Sequence, residues 1–245
     1  MIGNQIIIKK RTGSTNTLAS QYLKEKELPE GTVIRAVEQS AGRGHRGNSW
    51  ESEPGKNLTF SVILYPDFLE SHEQFILSKM VSLALYDYLD PLLKAVRIKW
   101  PNDIYVNNDK IAGILIENSL LGSSLDYSIL GIGVNVNQTI FTSDAPNPTS
   151  LKIVTGIETD LDRALNDLCK CLNSRYLQVV NRDTASINQD YLSRLYRFND
   201  FYLYKTGAQL FTAKITGLDP YGAIILETET GEIRQFRFGE LEYVI

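Results

Sequence analysis

The segment Gln39-Ser40-Ala41-Gly42-Arg43-Gly44-His45-Arg46-Gly47-Asn48-Ser49-Trp50 gathers glycines, arginines, a histidine and an indole into one short stretch. Glycines let a backbone reach positive φ and approach a ligand closely, while amide N–H groups and guanidinium forks donate to phosphate or carboxylate oxygens. Such a segment suits the holding of an anion; its bland counterpart is a surface loop rich in turn residues. Gly42-x-Gly44-x-x-Gly47 also satisfies a dinucleotide fingerprint, which needs a strand before it and a helix directly after it. Residues 32–37 read as the strand, but residues 48–57 contain Pro54 and Gly55 and show no helical apolar period. A nicotinamide or flavin site is therefore a poor reading.

A second constellation is Lys99-Trp100-Pro101-Asn102-Asp103, followed after a turn by Lys110-Ile111-Ala112-Gly113-Ile114-Leu115-Ile116-Glu117. Lys110 opens an apolar strand, where an ammonium is costly unless it meets an anion. Asp103 can coordinate Mg²⁺, which needs few protein carboxylates when phosphates share it, or simply pair with the lysine across a hairpin. A third is Gly131-Ile132-Gly133-Val134-Asn135-Val136-Asn137. Strand glycines mark close approach of a ligand, for which a planar base is one candidate, or a β-bulge with a satisfied asparagine.

The elements that must position these residues alternate at first. Residues 6–9 read as a short strand, and Ser14-Thr15-Asn16 cap a helix over 17–26 that Pro29 and Gly31 end. Residues 58–64 alternate as a strand, and 74–89 carry the helical apolar period up to Pro91. Residues 96–100, 104–106, 111–117 and 127–136 form four more strands with Asn or Gly turns, a largely antiparallel meander. Residues 158–180 and 187–197 read as helices that cover a sheet face. Beyond Asn199-Asp200 come short strands at 201–205, 209–217, 223–228 and 232–237, the pattern of a small barrel. A catalytic domain over 1–198 and a small domain over 199–245 follow.

Composition sets the bounds. The chain has 245 residues, 43% hydrophobic and 22% charged, enough for one large and one small core. A formal net charge of −4 argues against general nucleic-acid or membrane-surface binding. No window approaches the roughly 18 uninterrupted apolar residues of a membrane span, and the start lacks an export signal, so the expected place is the cytoplasm. Cys169 and Cys171 lie two apart in a helical pattern and point to different faces, as packing thiols rather than a disulfide or zinc site.

Taken together, Ser14-Thr15-Asn16, Gln39-x-x-Gly42-Arg43-Gly44-x-x-Gly47-x-x-Trp50, Lys99-Trp100-Pro101-Asn102-Asp103, Lys110-x-Ala112-Gly113-Ile114-Leu115-x-Glu117 and Gly131-x-Gly133-x-Asn135 resemble the ordered motifs of biotin protein ligases. The resemblance runs densely from residue 14 to 137, and the tail is similar to that family's small C-terminal domain. It implies an α+β fold: a mixed β-sheet flanked by helices, like class II synthetases and biotinyl/lipoyl ligases, then an SH3-like barrel. It implies that biotin and MgATP give biotinyl-5′-AMP and that the acyl group passes to one lysine of a biotin carboxyl carrier protein. Lys110, Asp103 and Arg43 would be catalytic. Ser14, Thr15, Asn16, Gln39, Arg43, Gly44, His45, Trp50, Lys110 and Gly113 would bind biotin. Arg46, Asn48, Trp50, Asn102 and Asn135 would bind ATP, Asp103 would hold Mg²⁺, and Trp100 would help to wall the pocket. A lipoate or octanoate ligase, or a noncatalytic biotin-binding module, are the alternatives. The partners expected are the carrier protein, with no nucleic acid and no membrane, and the chain is expected to be a monomer or weak homodimer.

This chain departs from the family pattern in two respects. The first ligase motif starts at Ser14, which leaves no room before it for the winged-helix domain of members that double as repressors. His45 stands where familiar members carry a second arginine in Gly-Arg-Gly-Arg. A neutral imidazole holds phosphate less tightly than arginine, so biotinyl-adenylate is expected to leak increasingly as pH rises from about 6 to 7.5. The check is adenylate retention by wild type and His45→Arg across that range; equal retention throughout removes this role of His45.

Overall fold

Leu58–Leu64 (β3) is buried at every position, because both faces of the strand are covered. The computed structural model describes residues 1–143 and 145–244, with Arg46 described by its main chain alone. β3 pairs antiparallel with Val33–Gln39 (β2) on one side and Ser124–Val134 (β7) on the other. Ile6–Thr12 (β1) adds parallel to β2, and the crossover between them is the helix Thr15–Glu25 (α1). Val96–Lys99 (β4), Asp103–Val106 (β5) and Asp109–Leu121 (β6) complete the expected antiparallel meander, in the order β1-β2-β3-β7-β6-β5-β4.

Strand periodicity sorts β3 into two faces. Phe60, Val62 and Leu64 join the large core beneath Phe75–Leu89 (α2), while Ile63 joins Ala19, Leu28, Ile34 and Ile129 under α1. α2 is buried almost all round, since Leu161–Val180 (α4) and Thr184–Ser193 (α5) pack outside it. α4 turns Leu165, Leu168, Cys169, Leu172, Tyr176 and Val179 inward at helical spacing, and Asp160 caps it by accepting from the amides of Asp162 and Arg163. Cys169 and Cys171 are free thiols, and burial pushes Cys169 up to about 11.

Several boundaries differ from the sequence reading, among them β1, which runs to Thr12 rather than residue 9, β6, which covers Asp109–Leu121 rather than 111–117, β7, which covers Ser124–Val134 rather than 127–136, and α4, which begins at Leu161 rather than residue 158. α1 begins at Thr15 rather than residue 17. The last helix of this layer covers Thr184–Ser193 rather than 187–197, because residues 194–196 leave it to bond along the free edge of β4, through Ile98 N–H to Arg194 O (2.9 Å) and Tyr196 N–H to Ile98 O (2.8 Å). A short helix, Leu151–Thr155 (α3), and a terminal strand lacked any strong pattern in the chain.

The tail forms a separate antiparallel sheet of Phe201–Thr206 (β8), Gln209–Leu218 (β9), Ile224–Thr228 (β10), Ile233–Phe236 (β11) and Glu242–Tyr243 (β12), ordered β11-β10-β9-β8-β12. Tyr204, Ala213, Ile215, Ile224 and Leu226 fill its interior. Among the described residues no helix is long and apolar enough to cross a membrane.

Arg175 ties the helical layer together: its Nε lies 2.6 Å from Asp87 Oδ2 and its Nη1 2.6 Å from Asp190 Oδ2. The guanidinium is itself nearly buried while the carboxylates keep some water, which moderates the penalty of losing it. Arg175→Ala is expected to cost about 3 kcal/mol in urea unfolding; a cost below about 0.5 kcal/mol would show that water replaces the pair without loss.

Candidate active site

The N-terminal corner of α1 rests on polar groups inside the sheet. Ser14 occupies the N-cap position, but its side chain makes no capping bond. That task falls to Gln39 at the end of β2, whose Oε1 accepts from the Thr15 amide at 2.8 Å. Below them, Ser61 Oγ on β3 lies 2.7 Å from Thr15 Oγ1 and 2.6 Å from Asn16 Oδ1. A carbonyl oxygen only accepts, so the single Ser61 proton goes to Asn16, and the Thr15 hydroxyl must donate to Ser61. Thr15 Oγ1 thus presents acceptor lone pairs, and Gln39, with its oxygen engaged, retains its Nε2 donors. Asn16 Nδ2 donates to Glu117 Oε2 (2.8 Å) and Leu115 O (3.1 Å), so the Asn16 amide is held wholly by the protein. It fits because residue 131 is glycine: a Cβ there would stand 2.4 Å from Asn16 Oδ1.

Across the cleft, Trp50 lies on the sheet. Gly113 and Gly133 are cross-strand partners on β6 and β7, and the indole covers them; a Cβ on Gly133 would come within 2.4 Å of Trp50 Cε2. The bare strand expected to receive a planar group is thus covered by the chain's own indole. Trp50 Nε1 is buried without a hydrogen-bond partner among the described residues. Lys110 Nζ sits 5.7 Å from the Trp50 ring centroid and 2.6 Å from Asp103 Oδ1, both side chains largely shielded. That contact is an ion pair closed at hydrogen-bond distance. Asn102 is fixed beside it, with Nδ2 and carbonyl oxygen bonded to the carbonyl and amide of Ile114, each at 2.9 Å. Behind Asp103, Lys99 Nζ donates to Tyr105 Oη (2.9 Å) and lies over the Tyr243 ring. Burial pushes the Lys99 pKa down, against the pull of Asp103.

Ser14, Thr15, Asn16, Gln39, Arg43, Gly44, His45, Trp50, Asn102, Asp103, Lys110 and Gly113 line one cleft. Asn48 and Asn135 stand outside its lining, Asn48 exposed in the loop and Asn135 buried with Nδ2 on Thr149 O. The side chain of Arg46 lies outside the described residues. Arg43 reaches the rim, but its Nη2 is 2.6 Å from Glu117 Oε1, turned from the centre of the cleft. Trp100 does not wall the cleft: it is 2% exposed, donates from Nε1 to Gly222 O (2.9 Å) and packs on Phe238 of the small domain. His45 meets the other side of that contact, its ring 4.7 Å from Phe238. Ser61, Glu117 and Phe238 were missed as site residues. Glu117 alone left a signal, as a carboxylate ending an apolar strand.

Among the described residues no three carboxylates, histidines or cysteines gather into a metal cage. Asn135 Oδ1 is nevertheless buried without a donor among the described residues, and Asp103 Oδ1 faces the Lys110 ammonium. Such hard oxygens fit Mg²⁺ that is held mainly by phosphates.

A donor–acceptor cradle for a small heterocycle beside a shielded lysine–aspartate pair defines a ligase that activates a carboxylic acid. The chain belongs to the biotin/lipoate A/B protein ligase family, whose model matches residues 8–135, with the biotin protein ligase C-terminal domain matched over 205–242. It is 32% identical to the biotin–[acetyl-CoA-carboxylase] ligase of Paracoccus denitrificans, over 90% of this chain and 93% of that protein. It is 30% identical to the bifunctional ligase/repressor BirA of Bacillus spizizenii, over 94% of this chain and 72% of that protein. The biotin protein ligase of Aquifex aeolicus in complex with biotin and ATP superposes with a TM-score of 0.81 at 27% identity, covering 98% of this chain and 100% of that one.

Gly133→Ala should displace the indole it now seats. In a Trp100→Phe background, where Trp50 is the remaining tryptophan, its fluorescence maximum is expected to shift to the red. An unchanged maximum would show that the Gly113–Gly133 seat does not hold the ring.

Proposed function

We propose that this chain joins biotin to AMP using MgATP and then transfers the biotinyl group to a lysine of a biotin carboxyl carrier protein. The observation that carries the reading is one cleft holding both the Thr15–Gln39 cradle and the Lys110–Asp103 pair. A ureido ring offers two N–H donors and one carbonyl acceptor; Thr15 Oγ1 and Gln39 Nε2 offer the complements, with Ser14 and the main chain of Arg43 and Gly44 beside them. A dithiolane such as lipoate would leave these buried groups unpaired, a selectivity of several kcal/mol.

Lys110 carries the first step. Its ammonium exchanges Asp103 for the biotin carboxylate, which lets that anion approach the α-phosphate. A carboxylate oxygen bonds to the α-phosphorus as the bond to pyrophosphate breaks, and Lys110 stabilises charge on both reacting groups. Asp103, released from Lys110, accepts a proton from the carrier lysine. The free amine attacks the acyl carbon, an amide forms, and AMP leaves. Mg²⁺ supplies charge neutralisation on the phosphates; Asp103, once freed from Lys110, would hold it, with Asn102, Asn135 and Trp50 serving the nucleotide. Arg43 reaches the phosphates by leaving Glu117, and His45, Arg46 and Asn48 belong to the same loop.

The Asn199 amide bonds to Ile215 O (3.1 Å), already inside the second sheet, which supports the division at 198/199. We place the enzyme in the cytoplasm, as a monomer or weak homodimer without nucleic-acid or membrane partners.

The test is exchange of labelled pyrophosphate into ATP with biotin, lipoate, octanoate or no acid. Biotin-dependent exchange is expected, falling about 10²–10³-fold in Lys110→Ala. Exchange with lipoate or octanoate alone would assign the chain to the sister activity, and none at all to a binding module.

A further inference from the structure

The residue after Trp50 grips a distant loop. Glu51 Oε1 accepts from Thr142 N–H (2.9 Å) and Thr142 Oγ1 (3.2 Å), and Oε2 accepts from Ser143 N–H (2.8 Å). Burial pushes the Glu51 carboxyl pKa up, but bonds from Thr142 and Ser143 outweigh it and hold the group below the usual carboxylate range. Gln138 locks the same corner: it is 2% exposed, and its Nε2 donates to Glu51 Oε1 (3.2 Å) and Ile140 O (2.8 Å) while its Oε1 accepts from Glu53 N–H (2.9 Å).

The far end of that loop touches the chemistry. Lys110 N–H donates to Asn147 O (2.7 Å), and Thr149 N–H donates to Lys110 O (2.9 Å). Thr149 O accepts from Asn135 Nδ2 (2.9 Å). The segment from Thr142 to Thr149 therefore begins at Glu51 and ends on the main chain of Lys110 and the amide of Asn135.

We propose that Glu51 is a positioning residue for adenylate formation: by holding the amides of Thr142 and Ser143 against the exit of the glycine-rich loop, it fixes the buried Asn135 amide, which stands outside the cleft lining and serves the nucleotide and its Mg²⁺ in the ligase reading. This role rests on the ligase reading above. Two carboxylate oxygens and a negative charge are required, because four separate donors converge on them. Glutamine offers one oxygen and no charge.

The test uses the full chain in wild type, Glu51→Ala, Glu51→Gln, Thr142→Pro and the Glu51→Ala/Thr142→Pro double variant. Thr142→Pro removes the amide from the other side. Hydrogen–deuterium exchange over residues 139–149 is expected to rise in every variant. The KM for ATP is expected to rise several-fold while that for biotin stays within about twofold. The double variant is expected to be no worse than the more impaired single one, since both remove the same interaction. A KM for ATP unchanged in Glu51→Ala, or effects that add in the double variant, would overturn the role; so would equal loss of both KM values, the mark of a merely loosened fold. A wild type inactive with biotin would overturn the ligase reading and this role with it, whereas an active wild type with an unchanged Glu51→Ala overturns the role alone.

Discussion

A buried hydroxyl sets the geometry of this site. Ser61 is wholly enclosed in a strand covered on both faces, where an unsatisfied polar group would cost on the order of 1–3 kcal/mol. Its bonds to Asn16 and Thr15 pull the first residues of α1 onto the sheet, and Gly131 exists to let Asn16 come that close. The direction of each proton then follows from valence. Asn16 faces two acceptors on β6 with its nitrogen, so its oxygen must take the Ser61 proton, and Thr15 is left as an acceptor toward the cleft. The acceptor that the proposed reading offers to a urea is thus a consequence of satisfying the core.

The second constraint is charge. Lys110 enters an apolar strand, and the free protein supplies Asp103 as its counter-ion. In the proposed reaction a substrate carboxylate, an anion of the same sign and similar size, would replace Asp103 on Lys110 and leave the charge of the shielded pocket balanced. Asp103 would then be able to accept a proton only after that anion had arrived, which would order the half-reactions. Lys99 stands behind Asp103, its ammonium kept on tyrosine rings and a phenol rather than on the carboxylate. Asp103 accordingly pairs with Lys110, while Lys99 adds only a longer-range attraction.

Local patterns were legible where they repeat within a few residues. The antiparallel meander and the five main motifs could be read because tight Asn and Gly turns, period two and charged residues in apolar runs are short-range signals, whereas residues 58–64 read as an alternating strand and β3 is buried on both faces. Lys110 and Asp103 face each other across one hairpin and so share a readable context. What stayed hidden needed a partner far along the chain. Ser61 looks like an ordinary polar position in an alternating strand until α1 lands on it, and the capping of the Thr15 amide passes from Ser14 to Gln39, 24 residues beyond Thr15. The family resemblance places Trp100 as a pocket wall. Only the small domain, by offering Gly222 O and Phe238, decides for the core.

That contact gives the small domain a physical hold on the glycine-rich loop. Phe238 lies between Trp100, fixed to Gly222, and His45, which belongs to the loop. An arginine in place of His45 would trade a flat ring that packs on Phe238 for a longer cation that seeks phosphate. The loop in this chain is thus tied by one side chain to an aromatic surface and by Arg43 to Glu117, and both ties lie at its first turn. Neither is deep enough to resist a polyanion. Arg43 and Glu117 both keep substantial solvent contact, where an ion pair contributes at most about 1 kcal/mol. A nucleotide presenting several phosphate charges can therefore recruit Arg43 without disturbing the buried Thr15–Ser61–Asn16 cluster, so the loop can move while the cradle beneath it stays in place.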